Sequence, residues 1–285
     1  MKVTVLIENT RLADRDDLRA ENGLSLYIQR DGMQILFDIG VTEAFGRNAE
    51  RLGIDIQEVD MVVVSHHHFD HGGGLAYFLE TNQKAKVYLR RWNAGNCYFR
   101  AFGIINKLVG LDRMLFQKHA DRFVFVDAFT EIAPDVFILV EIGNPYPQPR
   151  GNRYLFVRDG DAYRLDSFEH ELVMVVREKE GLVVFTGCSH RGILNMVAAV
   201  SGQFDGLSIK AVFGGFHLIG LPILNRMAGS KGEVESISII LVAVPQPRTR
   251  FTFTWHGQQL ALDVPPTYLH WREAEHSSTL SWPRS

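Results

Sequence analysis

The stretch Ser65-His66-His67-His68-Phe69-Asp70-His71 concentrates imidazole and carboxylate side chains just after the apolar run Met61-Val62-Val63-Val64. In an extended chain successive side chains point to opposite sides, so His66 and His68 share a face and His67 points away. Two imidazoles on one face can grip one ion. Gly72-Gly73-Gly74 follows, and glycine's backbone freedom lets Asp70 and His71 fold back beside the first pair. Imidazole with carboxylate suits zinc, with iron or manganese as alternatives. A histidine-rich surface loop is the competing reading, but such a loop has no need of a buried-type valine strand in front of it.

The second half of the chain supplies further donors. Leu172–Val176 and Leu182–Phe185 read as the two strands of a hairpin joined through Arg177-Glu178-Lys179-Glu180-Gly181. Cys188 and His190 therefore fall just past a strand end. A buried, inert cysteine competes with a metal role for Cys188. His217 follows the strand-like Lys210–Phe213 and Gly214-Gly215, where it can contact substrate, transfer a proton, bind metal or pack in a core.

Positioning these groups requires β-rich scaffolding. Val3–Ile7, Leu24–Ile28, Gln34–Phe37 and Met61–Val64 all read as strands, and Lys86–Leu89 is strand-like. Residues 84–130 are less regular, with a basic and aromatic stretch around Arg90-Arg91-Trp92 and Tyr98-Phe99-Arg100. It reads either as an insertion covering substrate or as a solvated helix pair with its aromatics packed inward. Pro145, Pro147 and Pro149 mark a loop rather than a linker, because strand-like sequence resumes at Tyr154-Leu155-Phe156-Val157.

Bulk properties fit a compact enzyme acting on a small molecule. With 285 residues, 46% of them hydrophobic, the chain can bury one large core. A net charge of −3 and a pI near 6.4 argue against gripping nucleic acid or an anionic membrane through bulk charge. Two cysteines, Cys97 and Cys188, make no disulfide framework. The start Met1-Lys2-Val3-Thr4-Val5-Leu6-Ile7-Glu8 meets an acid too early for a signal-peptide core, and no apolar run approaches the roughly 20 residues that span a bilayer. A cytoplasmic location is the expectation; the oligomeric state is not legible.

His66-x-His68-x-Asp70-His71 resembles the signature of the metallo-β-lactamase superfamily. Ile35-Leu36-Phe37-Asp38-Ile39-Gly40 is similar to that superfamily's early strand and Asp-x-Gly turn, and Gly23-Leu24-Ser25-Leu26-Tyr27-Ile28 to the strand before it. Thr186-Gly187-Cys188-Ser189-His190-Arg191-Gly192-Ile193 and Gly214-Gly215-Phe216-His217-Leu218 resemble the subgroup labelled dihydropterin-ribofuranosyl-aminobenzene-phosphate synthase-like. The resemblance covers roughly residues 1 to 235.

The resemblance implies an α/β fold, a four-layer αββα sandwich with the site at the strand ends of two packed sheets. It implies one domain over 1–285, with an irregular tail over about 257–285. It places His66, His68 and His190 on one ion, and Asp70, His71 and His256 near a second. His170, from its distance in sequence to Cys188, is the alternative third histidine. Cys188 stands where many members place a metal-bridging aspartate, and Asp38 is expected to brace the ligands through a hydrogen bond. His68 stands where oxygen-reducing diiron relatives carry glutamate, which lowers a redox role. His256, in Phe253-Thr254-Trp255-His256-Gly257, is the nearby equivalent of the family's last histidine turn, although aligning the turn's final glycine on Gly257 puts Thr254 at that position.

The expected activity is metal-dependent hydrolysis of an ester, lactone or phosphoester with one or two divalent ions. Asp70 would orient the attacking water, and His217 would contact substrate or transfer a proton. The alternatives are a pterin-related synthase and a non-catalytic metal-binding protein.

Overall fold

The computed structural model describes residues 1–11, 15–92 and 95–215, together with the backbone of three strands farther along. In chain order the first eight strands are β1 (Lys2–Ile7), β2 (Ser25–Arg30), β3 (Met33–Phe37), β4 (Met61–Val63), β5 (Lys86–Arg90), β6 (Asn96–Ala101), β7 (Ile105–Leu108) and β8 (Phe123–Val126). The others described are β9 (Thr130–Ala133), β10 (Val136–Leu139), β11 (Leu155–Asp159), β12 (Ala162–Leu165), β13 (Val173–Glu178), β14 (Gly181–Phe185), β15 (Ile209–Phe213), β16 (Val242–Ala243), β17 (Arg250–Trp255) and β18 (Gln258–Asp263). The α-helices described are α1 (Ala44–Arg51), α2 (Phe69–Gly72), α3 (Leu75–Thr81), α4 (Met114–Lys118) and α5 (Ile193–Gln203).

These strands form three sheets. The first runs β18-β17-β1-β2-β3-β4-β5-β8, the second β16-β15-β14-β13-β10-β9, and the third β12-β11-β6-β7. Strand alternation explains the layering. On β4, Met61 and Val63 face a core shared by the first two sheets, while Val62 and, just past the strand, Val64 face the opposite side. That shared core also holds Phe37 against Phe185 across the sheets, ring centroids 5.9 Å apart. Each fully buried aromatic of this kind contributes about 2 kcal/mol. The outer side of the first sheet packs on Phe45 and Ala49 of α1 and on Leu75, Phe78 and Leu79 of α3. The outer side of the second packs on Met196 and Val200 of α5. The result is an αββα sandwich, as expected.

Two features depart from the sequence reading. The basic, aromatic stretch does not form a helix pair: β6 and β7 make a hairpin, and β6 pairs antiparallel with β11 to build the third sheet. One face of this sheet is buried through Cys97, Leu155 and Val157, beside Val109 and Phe168. Adjacent Tyr98 and Phe99 put an aromatic on each face of β6, so its alternation did not stand out as strand, whereas Leu155–Val157 of its partner β11 did read as strand-like. Farther along, β18 lies within the stretch expected to be irregular, and β17 pairs with β1 in parallel and β18 in antiparallel fashion.

No helix among the described residues is long and apolar enough to cross a membrane.

Candidate metal centre

β4 delivers the histidine run to the edge where its sheet ends. Parallel pairing of β4 with β3 and β5 fixes its register, and Val64 still bonds to the Tyr88 carbonyl. Beyond it the chain leaves the sheet and starts α2 with His68 as the extended residue before the helix. His66, His67, His68 and His71 are all buried. As the alternation requires, His66 and His68 lie together, ring centroids 4.6 Å apart. His67 turns the other way, placing Nε2 2.8 Å from the Arg90 carbonyl and its ring beside Phe116.

His190 completes a triangle with the pair. Its ring centroid is 5.0 Å from that of His66 and 4.9 Å from that of His68, and the ligating atoms of all three lie within 4.8 Å of one another. The Nε2 atoms of His66 and His68 are buried with no hydrogen-bond partner among the described residues. Leaving such an atom unsatisfied costs about 1–3 kcal/mol, and aiming two at one point has a physical rationale if a cation sits between them. Burial, reinforced by the neighbouring histidines, holds His66 well below the usual imidazole range and brings His68 down to about 3. Both rings are therefore neutral, the form that binds a metal.

A second group shares His66. His66, His71 and Cys188 place ligating atoms within 4.8 Å of one another, with His71 Nε2 3.0 Å from Cys188 Sγ. Burial pushes the Cys188 thiol up, so near neutral pH no thiolate is present to charge His71. The partner that remains at Nδ1 is Asp38, whose Oδ2 lies 2.6 Å away. Asp70 stands at the edge of this group, Oδ2 3.7 Å from His71 Nε2, with 26% of its side chain exposed. His217 and His256 lie outside the described residues.

Buried hydrogen bonds orient the donors. Asp38, fully buried, accepts from the Ser65 amide through Oδ1 (2.7 Å) and from the Ser65 hydroxyl through Oδ2 (2.8 Å) as well as contacting His71. Ser65 Oγ in turn lies 2.8 Å from His66 Nδ1, leaving Nε2 to face the centre. Asn152 grips His190 twice, donating to its carbonyl (2.7 Å) and placing Oδ1 3.1 Å from its Nδ1. Glu171 accepts from the His190 and Arg191 amides at 2.9 and 2.8 Å. Its carboxyl is raised to about 7 because burial outweighs those two amides. Asp38, Phe168 and Ser189 all have left-handed backbone, φ between 54° and 56°, a conformation that costs a non-glycine residue on the order of 1 kcal/mol.

Glycine serves closeness here more than flexibility. Gly73 and Gly74 have right-handed helical φ of −62° and −72°, so the expected special backbone is absent; a Cβ on Gly74 would meet Phe45 at 2.7 Å and Thr42 O at 2.9 Å. At Gly187 a Cβ would overlap Ser65 Oγ and stand 2.9 Å from His66 Nδ1.

His170, the alternative third histidine, is not in the triangle. It lies behind it, bonded to His67 and Asp166. Asn152, Phe168, Glu171 and Asp166 were not singled out from sequence. The acidic residues around His170, in Asp166-Ser167-Phe168-Glu169-His170-Glu171, were the available signal.

This geometry has counterparts. The family model of the metallo-beta-lactamase superfamily matches residues 18–192. The chain belongs to the metallo-beta-lactamase superfamily. Within it, this superfamily member is 30% identical over 215 residues to a Methanocaldococcus jannaschii protein named 7,8-dihydropterin-6-methyl-4-(beta-D-ribofuranosyl)-aminobenzene-5'-phosphate synthase, spanning 70% of this chain and 72% of that one. It is 26% identical to a second, uncharacterized protein of the same organism, over 79% of this chain and 83% of the other. A crystal structure described as a metal-dependent hydrolase of the beta-lactamase superfamily matches with a TM-score of 0.62 and 32% identity, covering 82% of this chain and 79% of that one.

Proposed function

We propose that this chain is a metal-dependent hydrolase of a small ester, lactone or phosphoester, with His66, His68 and His190 holding one divalent ion and His71, Cys188 and Asp70 serving a second. The observation that carries the reading is the pair of buried Nε2 atoms of His66 and His68, without a hydrogen-bond partner among the described residues and converging beside His190. Zinc suits three imidazoles, and the thiol beside His71 favours it further over manganese. When bound, such an ion polarises a carbonyl or phosphoryl oxygen and lowers the pKa of its water to about 7.

The protein's own groups supply the rest. Asp70 is the partly exposed carboxylate at the mouth of the site, placed for Oδ2 to orient a water and accept its proton. Asp38 and Ser65 hold His71 and His66 in one ring orientation, so no reorganisation is needed as charge develops. Phe168, stacked on His190 at 4.5 Å and 10° between planes, excludes water from one side.

A second reading has a specific observation in its favour, the 30% identity to a protein named as a pterin-linked aminobenzene-phosphate synthase. In that reading the same residues would polarise a phosphorylated substrate for condensation. The test assays purified, metal-loaded protein and Asp70→Ala against lactones, phosphodiesters and, separately, pterin plus ribofuranosyl-aminobenzene phosphate. Turnover of the first panel, lost at least 100-fold in Asp70→Ala, supports the hydrolase. Condensed product from the second panel alone replaces it with the synthase, and bound metal without turnover in either leaves a non-catalytic metal protein.

A further inference from the structure

Behind the histidine triangle, the ligating atoms of His68, Cys97, Asp166 and His170 lie within 4.8 Å of one another, all buried. On separation alone the group suits a third cation. The hydrogen bonds decide otherwise. The His67 amide donates to His170 Nδ1 at 3.2 Å, so that nitrogen carries no proton. The proton of a neutral ring is then on Nε2, which lies 3.0 Å from Asp166 Oδ2 and 3.7 Å from Cys97 Sγ. A protonated Nε2 cannot ligate a metal. Burial opposes a second proton on this ring while Asp166 favours one, with a net upward pull, yet that proton would point at the His67 N–H. The acceptor geometry fixes the neutral ring.

We propose that Asp166 and His170 are positioning residues for the metal centre: Asp166 locks His170 in its Nε2–H tautomer so that Nδ1 holds the His67 amide, and with it the backbone between His66 and His68. This inference rests on the metal-site reading above and deepens it.

The same short segment reaches the third metal ligand as well. Asp166 Oδ1 accepts from the Phe168 amide at 2.7 Å, which supports the left-handed turn at Phe168 that lays its ring on His190. Glu171 bonds the His190 and Arg191 amides, and Leu172 N donates to the Ser65 carbonyl. Residues 166–172 thus hold the backbone just before His66 and between His66 and His68, and both the ring and the amide of His190. They also tie the centre to the third sheet, because Asp166 N donates to Leu155 O on β11 and His170 faces Cys97 on β6. Support of this kind keeps ligand geometry within the tolerance that metal affinity requires.

Asparagine at 166 exposes the logic. It offers one acceptor oxygen where the carboxylate offers two, and both the Phe168 N–H and the His170 Nε2–H need one. If the amide oxygen stays with Phe168, the amide NH2 faces His170 Nε2 and drives the ring to the Nδ1–H tautomer, whose proton then opposes the His67 N–H. If it turns to His170, the left-handed turn under His190 loses its support.

The experiment has two parts. In zinc-loaded wild-type protein labelled with 15N at histidine, long-range 1H–15N correlations should show His170 protonated at Nε2 and not at Nδ1. An Nδ1–H ring or an imidazolium overturns the proposal without any variant having to fold. In parallel, zinc competition titrations and the visible spectrum of the cobalt-substituted protein are compared for wild type, Asp166→Asn and Val157→Ala. The last removes buried bulk from the same sheet without touching the relay. Asp166→Asn should bind zinc 10–100-fold more weakly and shift the cobalt bands, whereas Val157→Ala should lower the unfolding midpoint and leave both unchanged. Equal zinc affinity in Asp166→Asn and wild type, or equal loss in both variants, overturns it. A wild-type protein that binds no zinc refutes the metal-site reading instead, and the His170 tautomer in the unloaded protein then decides the relay separately.

Discussion

Replacing Asp38 with asparagine tests the buried bracing of the site most directly. The carboxylate receives three contacts of 2.6–2.8 Å, from the Ser65 amide, the Ser65 hydroxyl and His71 Nδ1, and is fully buried. Asparagine keeps the shape but has one acceptor oxygen. With that oxygen on the Ser65 amide, its NH2 faces His71 Nδ1 and forces the proton to Nε2, the atom 3.0 Å from Cys188 Sγ. With the oxygen on His71, the NH2 opposes the buried Ser65 N–H. Either arrangement loses one hydrogen bond to a charged acceptor, worth about 1.5–3 kcal/mol, and strands or flips a donor. The expected loss is about 2–4 kcal/mol in urea unfolding of metal-free protein, accompanied by a drop in metal content as the His71 position fails. Elemental analysis and denaturation of the same preparations read both. A variant within 0.5 kcal/mol of wild type that keeps its full metal content would refute the bracing role assigned to Asp38.

Gly187→Ala should displace the His66 loop, because its Cβ would overlap Ser65 Oγ; a stability loss of about 1–3 kcal/mol with weakened zinc binding is expected by calorimetry and competition titration. Stripping metal with a chelator should lower the unfolding free energy by about 4 kcal/mol relative to protein held at 1,000 times the dissociation constant, and readdition of zinc should restore it. Away from the site, the hydrogen bond from Arg177, aided by Arg30, holds Asp135 below the usual carboxylate range against a small burial cost. A lowered folded pKa contributes stability that is full above the unfolded value of about 3.9 and is lost as pH falls through the folded one. Asp135→Asn should therefore be less stable than wild type at pH 7, with the gap closing toward pH 3, as followed by urea midpoints.

How much was legible beforehand varies with the range of the interaction. The expected strand at Met61–Val64 is β4 to within a residue, and Lys86–Leu89 and Leu182–Phe185 lie within β5 and β14, because period-two alternation and apolar runs are local properties. The sharing of a face by His66 and His68 is likewise a matter of one chain alternating. The stretch after β5, read either as an insertion or as a helix pair, proved to hold strands because β6 is completed by β11, more than fifty residues later, and nothing near β6 announces that partner. His170 and His190 show the same limit. Both are buried histidines in the second half of the chain, yet one joins the triangle and the other stands behind it.

The chain by itself determined the donor types, their alternation after β4 and the superfamily motifs that carry the fold. Only the tertiary structure decided which distant donors converge, which ring nitrogen each presents, and that Gly74 and Gly187 are needed for close approach. The physical reason is range: alternation and turn chemistry act over a few residues, whereas ligand choice and tautomer are set by hydrogen bonds between segments that meet only when the sheets pack.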